Sequence, residues 1–241
     1  MRTAIVIGMA AAAAASAGCA RDRGEAAGPA TTRNFAVGGF ERIEVAGPYE
    51  VTVATGGAPS VRASGGERAI ERMVVEVEGD TLKIHPKKRS GLSFSWSRSH
   101  PVKLTVTVPR LTAAGIAGSG AITVDKVAGD AFEAGVAGSG NLRLGEVDVK
   151  RLKAGIAGSG EINAGRGRAA VADYEIAGSG DIDAAGLVAE TASVSIAGSG
   201  NVAANATGTA SVDIAGSGDV RMTGGAKCQV SKAGSGNVDC S

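Results

Sequence analysis

One phrase, Ile116-Ala117-Gly118-Ser119-Gly120, constrains this chain more than anything else in it, because the C-terminal half keeps returning to it. The Gly-Ser-Gly triplet recurs with its serine at Ser119, Ser139, Ser159, Ser179, Ser199, Ser217 and Ser235, at intervals of 20, 20, 20, 20, 18 and 18 residues. Seven copies at a near-fixed period describe a solenoid, in which each repeat is one coil too small to bury its own apolar face.

The residues around each serine say what the coils are made of. Three before it stand Ile116, Val136, Ile156, Ile176, Ile196 and Ile214; three after it stand Ile122, Leu142, Ile162, Ile182, Val202, Val220 and Val238. Five before it the chain has Ala114, Ala134, Ala154, Tyr174, Val194, Val212 and Val230, with polar or small residues between these columns. Apolar residues at a period of two are the signature of a strand with one face inside and one wet. Stacked coils would pair edge to edge at about 4.8 Å, so seven would make a column on the order of 30 Å long.

The triplets themselves, Gly118-Ser119-Gly120, Gly138-Ser139-Gly140, Gly158-Ser159-Gly160, Gly178-Ser179-Gly180, Gly198-Ser199-Gly200, Gly216-Ser217-Gly218 and Gly234-Ser235-Gly236, fall where the coil must bend. If the alternation runs through them, both glycines point inward and the serine outward, and the sharp corner leaves no interior volume for a side chain. Each glycine costs about 0.5 to 1 kcal/mol of backbone entropy relative to alanine, so seven such corners imply a steric need.

The remainder of the chain places this solenoid. Residues 1–19 have a positive start at Arg2, an apolar run from Ala4 to Ala15, and small residues before Cys19, the layout of an export signal rather than a membrane span. Its ending is similar to that of a bacterial lipoprotein signal, in which Cys19 carries lipid and anchors the protein to a membrane; ordinary cleavage after Ala17 to a soluble product is the alternative. Residues 20–34 read as a flexible tether rich in Ala, Gly and Arg. With Cys19 lipidated, Cys228 and Cys240 remain, and an even remainder in an exported protein suggests a disulfide within the last coil, two small buried thiols being the alternative. Lys232, where earlier repeats have Ile or Val, marks that coil as an atypical cap.

Residues 35–110 are expected to form a β-rich region that caps the column, and residues 111–241 the solenoid. Phe40–Val45 and Tyr49–Val53 alternate around a Gly47-Pro48 turn, Glu67–Met73 can form one helical turn, Val74–Glu78 and Thr81–His85 read as a hairpin around Gly79-Asp80, and Val102–Val108 is a strong strand. Between them, Phe94, Trp96 and Arg98 form an aromatic cluster that is either a binding loop or a lid on the core.

These motifs, Phe40–Gly47, Tyr49–Val53, Val74–Ile84 and then repeated Ala-Gly-Ser-Gly, resemble in order and spacing the bacterial envelope family known as auto-transporter adhesin, head GIN domain. The resemblance spans residues 35–240. It implies an all-β, right-handed parallel β-helix in an exported, often lipid-anchored protein, and it brings no catalytic residue.

The chain is therefore expected to be a non-catalytic protein of the cell envelope, at the outer membrane and facing the periplasm or the outside, whose solenoid surface binds a glycan or an envelope protein. The outward column Asn141, Glu161, Asp181, Asn201, Asp219 and Asn237 can meet such a polymer or simply form ladders between coils. A polysaccharide-acting enzyme would need two carboxylates at a set separation, which Glu161, Asp181, Asp183 and Asp219 could supply, but no loops build a cleft around them. Self-assembly of coils end to end into a scaffold is a third reading. A net charge of +1 gives no reason to expect nucleic acid. No cofactor is expected. Nor is calcium, because the position aligned with Asp183 reads Thr123, Arg143, Asn163, Ala203 and Arg221 in other repeats.

Overall fold

The computed structural model describes residues 28–87 and 102–241. Cys19, with the rest of the residues read as a signal and the first part of those read as a tether, and Phe94, Trp96 and Arg98 lie outside the described residues; the end of the expected tether is not a loose linker, because residues 30–34 are hydrogen-bonded in an antiparallel pair with residues 62–66. The first half of the chain gives β1 (Ala30–Phe35), β2 (Arg42–Ala46), β3 (Glu50–Thr55), β4 (Ser60–Gly66), the short helix α1 (Glu67–Glu71), β5 (Met73–Glu78), β6 (Thr81–Pro86) and β7 (Lys103–Val108). The second half gives β8 (Ala113–Gly118), β9 (Ala121–Gly138), β10 (Asn141–Gly158), β11 (Glu161–Gly178), β12 (Asp181–Gly198), β13 (Asn201–Gly216), β14 (Val220–Thr223), β15 (Lys227–Gly234) and β16 (Val238–Cys240).

All the strands belong to one sheet wound into a parallel β-solenoid. From β8 onward every neighbouring pair is parallel, and the register follows the repeat: Ile116 lies on Val136, Val136 on Ile156, Ile156 on Ile176, Ile176 on Ile196 and Ile196 on Ile214. This column is buried throughout, as are Ile122, Leu142, Ile162, Ile182, Val202 and Val220 on the other side of the corner. Stacking identical branched side chains at one strand spacing gives each coil the apolar partner it lacks alone. Between β12 and β13 the register slips near Ala184 and Ala189, which is where the repeat shortens from 20 residues to 18.

The corners hold for a different reason than interior crowding alone. Each serine points to solvent, and its N–H continues the ladder: Ser139 donates to the Gly118 carbonyl (2.9 Å) and Ser159 to that of Gly138 (2.8 Å). The second glycine of each triplet is buried, as expected, but the first is not. Gly118, Gly138 and their successors have φ between 113° and 140°, and a Cβ on Gly138 would stand 2.6 Å from the Gly118 carbonyl oxygen. The first glycine is thus imposed by a left-handed backbone pressed against the coil above it, not by lack of room inside.

The N-terminal region extends the column before it caps it. β2 lies parallel on β8, β3 lies parallel on the start of β9, and Gly47-Pro48-Tyr49 takes the place of a Gly-Ser-Gly corner, with Gly47 N–H donating to the Ala117 carbonyl at 3.0 Å. A further level is built by β6 on β2 and β7 on β3, both parallel. Only beyond these does the pairing turn antiparallel, with β5 on β6, β4 on β7 and β1 on β4. β2 and β3 accordingly flank a turn without pairing to each other, whereas β5 and β6 form the expected hairpin. At the other end, Cys228 and Cys240 form a disulfide with Cα atoms 6.6 Å apart. Both cysteines stand on the inward side of the last described coil, yet Cys228 is only half-buried and Cys240 is exposed, because among the described residues no further coil covers them.

Candidate binding groove

The outward residues just before the corners that follow β8, β9 and β10 are small. On β8, β9 and β10 they are Gly115 and Ala117, Gly135 and Ala137, Gly155 and Ala157, stacked in register; β11 and β12 continue with Glu175 and Ala177, then Ser195 and Ala197. Unlike the corner glycines, Gly135 and Gly155 have ordinary extended backbones, and a Cβ on either would meet nothing within 4 Å. Nothing inside the fold requires them, although glycine within a strand weakens it and marks places where another molecule approaches the backbone closely.

This smooth strip is the floor of a groove of about 1020 Å³ that runs from β6 down to β12. Its upper wall is charged. Glu44 on β2 lies beside Lys83 on β6, and the antiparallel β5 adds Glu76 and Glu78. Lys83 Nζ donates to Glu78 Oε2, a bond that holds the Glu78 carboxyl below the usual carboxylate range and raises the Lys83 ammonium above its ordinary value. His85 stands within 3.0 Å of both Glu76 Oε1 and the Pro86 carbonyl. With Glu175, which stands on the floor at β11, the lining carries four carboxylates against one ammonium and one imidazole, so the groove is acidic at its upper wall and apolar on the part of its floor from β8 to β10.

Of the column read as either a polymer contact or a ladder between coils, Asp181, Asn201 and Asp219 form a ladder. Asp181 Oδ1 accepts from Asn201 Nδ2 (2.8 Å) and from its N–H, Asn201 Oδ1 accepts from the Asp219 N–H (3.1 Å), and Asp219 Oδ1 accepts from the Asn237 N–H (2.8 Å). These side chains are spent on bonding coil to coil. Glu161, Asp181, Asp183 and Asp219 stack on one flat side, and none of them lines the groove. Charges elsewhere pair between levels, Arg168 with Asp148 at 2.9 Å, Lys150 with Asp130 at 2.7 Å and Arg42 with Glu133 at 3.3 Å. The groove escaped sequence reasoning because its wall comes from β5 and β6, far away in the chain. The signal that could have found it was the outward glycine repeated at 115, 135 and 155.

The chain is thus an all-β parallel solenoid with an antiparallel cap at one end. The chain belongs to the family described as "Putative auto-transporter adhesin, head GIN domain", whose model matches residues 39–226. Solved structures with the same fold include one described as a "putative adhesin" from Bacteroides fragilis, at 22% identity and TM-score 0.80, covering 88% of this chain and 97% of that one. Another, from Parabacteroides distasonis, is described as a "putative lipid binding protein", at 26% identity and TM-score 0.69, covering 89% and 97%. A third, from Parabacteroides merdae, is again described as a "putative adhesin", at 20% identity and TM-score 0.70, covering 90% and 98%. No curated protein sequence matches the chain. The family is described by adhesion and not by an enzymatic activity.

Proposed function

We propose that this protein is a non-catalytic binding protein of the bacterial cell envelope, held at the outer membrane through lipid on Cys19, and that its groove takes a neutral glycan chain. The observation that carries this reading is the pair of glycines, Gly135 and Gly155, that the fold does not need and that lie bare on the groove floor. The floor's backbone amides are engaged along the column, so it offers a flat apolar contact suited to the face of a sugar ring. The carboxylates of Glu44, Glu76, Glu78 and Glu175 accept hydrogen bonds from hydroxyls and repel anionic polymers and anionic lipid head groups. The adhesin description of the family and the export signal support the envelope location.

The test is a pull-down on neutral polysaccharide, with isolated cell-wall sacculi, anionic through their peptide carboxylates, and anionic liposomes alongside as the contrasting arms. Gly155→Arg fills the groove without touching the core and should abolish retention, whereas Arg168→Ala on another side should not. Equal retention of parent and Gly155→Arg would refute the groove, and preference for liposomes would favour lipid. Labelled fatty acid entering the parent but not Cys19→Ser checks the anchor, and protease treatment of intact cells checks which side it faces.

A further inference from the structure

The two ends of the column are finished differently. The upper end is covered by antiparallel strands whose outline does not repeat that of a coil. At the lower end, among the described residues, β15 bonds only to β13 and β16 only to β14, leaving one edge of each without a strand partner. Such an edge is a template for another strand. It is also apolar, since Val230 is 45% exposed while Val212 directly above it is fully buried.

We propose that Lys232 and the Cys228–Cys240 bridge together guard this end against pairing with a second copy of the chain. Lys232 occupies the column that is isoleucine or valine on each of the six levels above it from β8 to β13, and it lies directly beneath Ile214. Its side chain is exposed and its Nζ donates to the Gly236 carbonyl at 2.9 Å, reaching over the corner. An incoming coil would have to strip water from that ammonium and bury it in an aliphatic column, which opposes association. The disulfide ties β15 to β16 across 12 residues, so the last coil cannot open and exchange with a neighbour. The partner excluded is another C-terminal end. Two identical coil outlines can meet about a two-fold axis, whereas the antiparallel cap offers no matching outline for a head-to-tail fibre.

The experiment is light scattering after size-exclusion chromatography on the full chain without reductant, in a Cys19→Ser background so that no acyl chain drives association. The parent should be monomeric. Lys232→Ile should associate at a concentration about a hundredfold lower or more, the gain expected from burying one aliphatic side chain from each of the two copies at the contact. Lys232→Arg, which keeps the charge, and Lys227→Ile, on the outward side of the same strand, should remain monomeric. Adding reductant should increase the association of Lys232→Ile further. A Lys232→Ile chain that stays monomeric with an unaltered circular dichroism spectrum overturns the proposal, as does a parent already dimeric to the same extent. If Lys232→Ile does not fold, Lys232→Met and reduction of the parent's bridge give the same readout, and monomers in both overturn it.

Discussion

At the scale of single residues, the same amino acid serves opposite purposes a few positions apart. Gly138 is pinned between positive φ and the carbonyl above it, so Gly138→Ala should cost about 2 to 4 kcal/mol in thermal or chemical unfolding. Gly155→Ala should be neutral or stabilising by up to about 1 kcal/mol, because only the unfolded chain loses freedom. The serine spacing made every corner legible, but the orientation of the first glycine was not, since the alternation of a strand cannot reveal a left-handed residue. The two tyrosines give a second test. Tyr49 and Tyr174 are both buried, and burial pushes the Tyr49 phenol up to about 12 and Tyr174 higher still. The folded state therefore holds these protons more tightly than the unfolded chain, whose phenols titrate near 10. Their contribution to stability is complete below about pH 10 and is lost as pH rises toward about 12. Near-ultraviolet titration should show little phenolate at about pH 11 while the protein is folded, and both tyrosines ionising together when it unfolds. Tyr174 also buries a hydroxyl with no hydrogen-bond partner among the described residues, so Tyr174→Phe should raise stability by about 1 kcal/mol in the same assay.

At the scale of elements, the strands from β8 to β13 follow the repeat almost residue for residue, because identical columns admit only one register that buries every isoleucine. β2 and β3 were legible as strands, yet their place in the column was not. Gly47-Pro48-Tyr49 does the work of Gly-Ser-Gly with different residues, and the stacking of β2 on β8 spans some seventy positions of sequence. The groove shares this limit, since its wall and floor come from distant segments. The final element depends on its crosslink. Reducing Cys228–Cys240 should remove up to about 3 kcal/mol, and amide exchange should quicken across β15 and β16 while β10 to β12 keep their protection.

At the scale of the molecule, stability is a sum over coils and the interfaces between neighbours. Excising residues 141–160 joins Gly140 to Glu161 at an intact corner and sets Tyr174 beneath Ala134 instead of Ala154, one alanine for another. That chain should still fold cooperatively, with a lower melting temperature and an unchanged shape of its circular dichroism spectrum. Surface ion pairs such as Lys150–Asp130, both more than three-quarters exposed, should matter little, so salt should barely move the melt. The order in which the levels are threaded has a temporal consequence. The earliest strands of the column, β2 and β3, are roofed by β6 and β7 but floored by β8 and β9, so an emerging chain has no complete ground storey until residue 124 is available. A protein delivered amino end first must hold its opening sentence unread until its middle arrives.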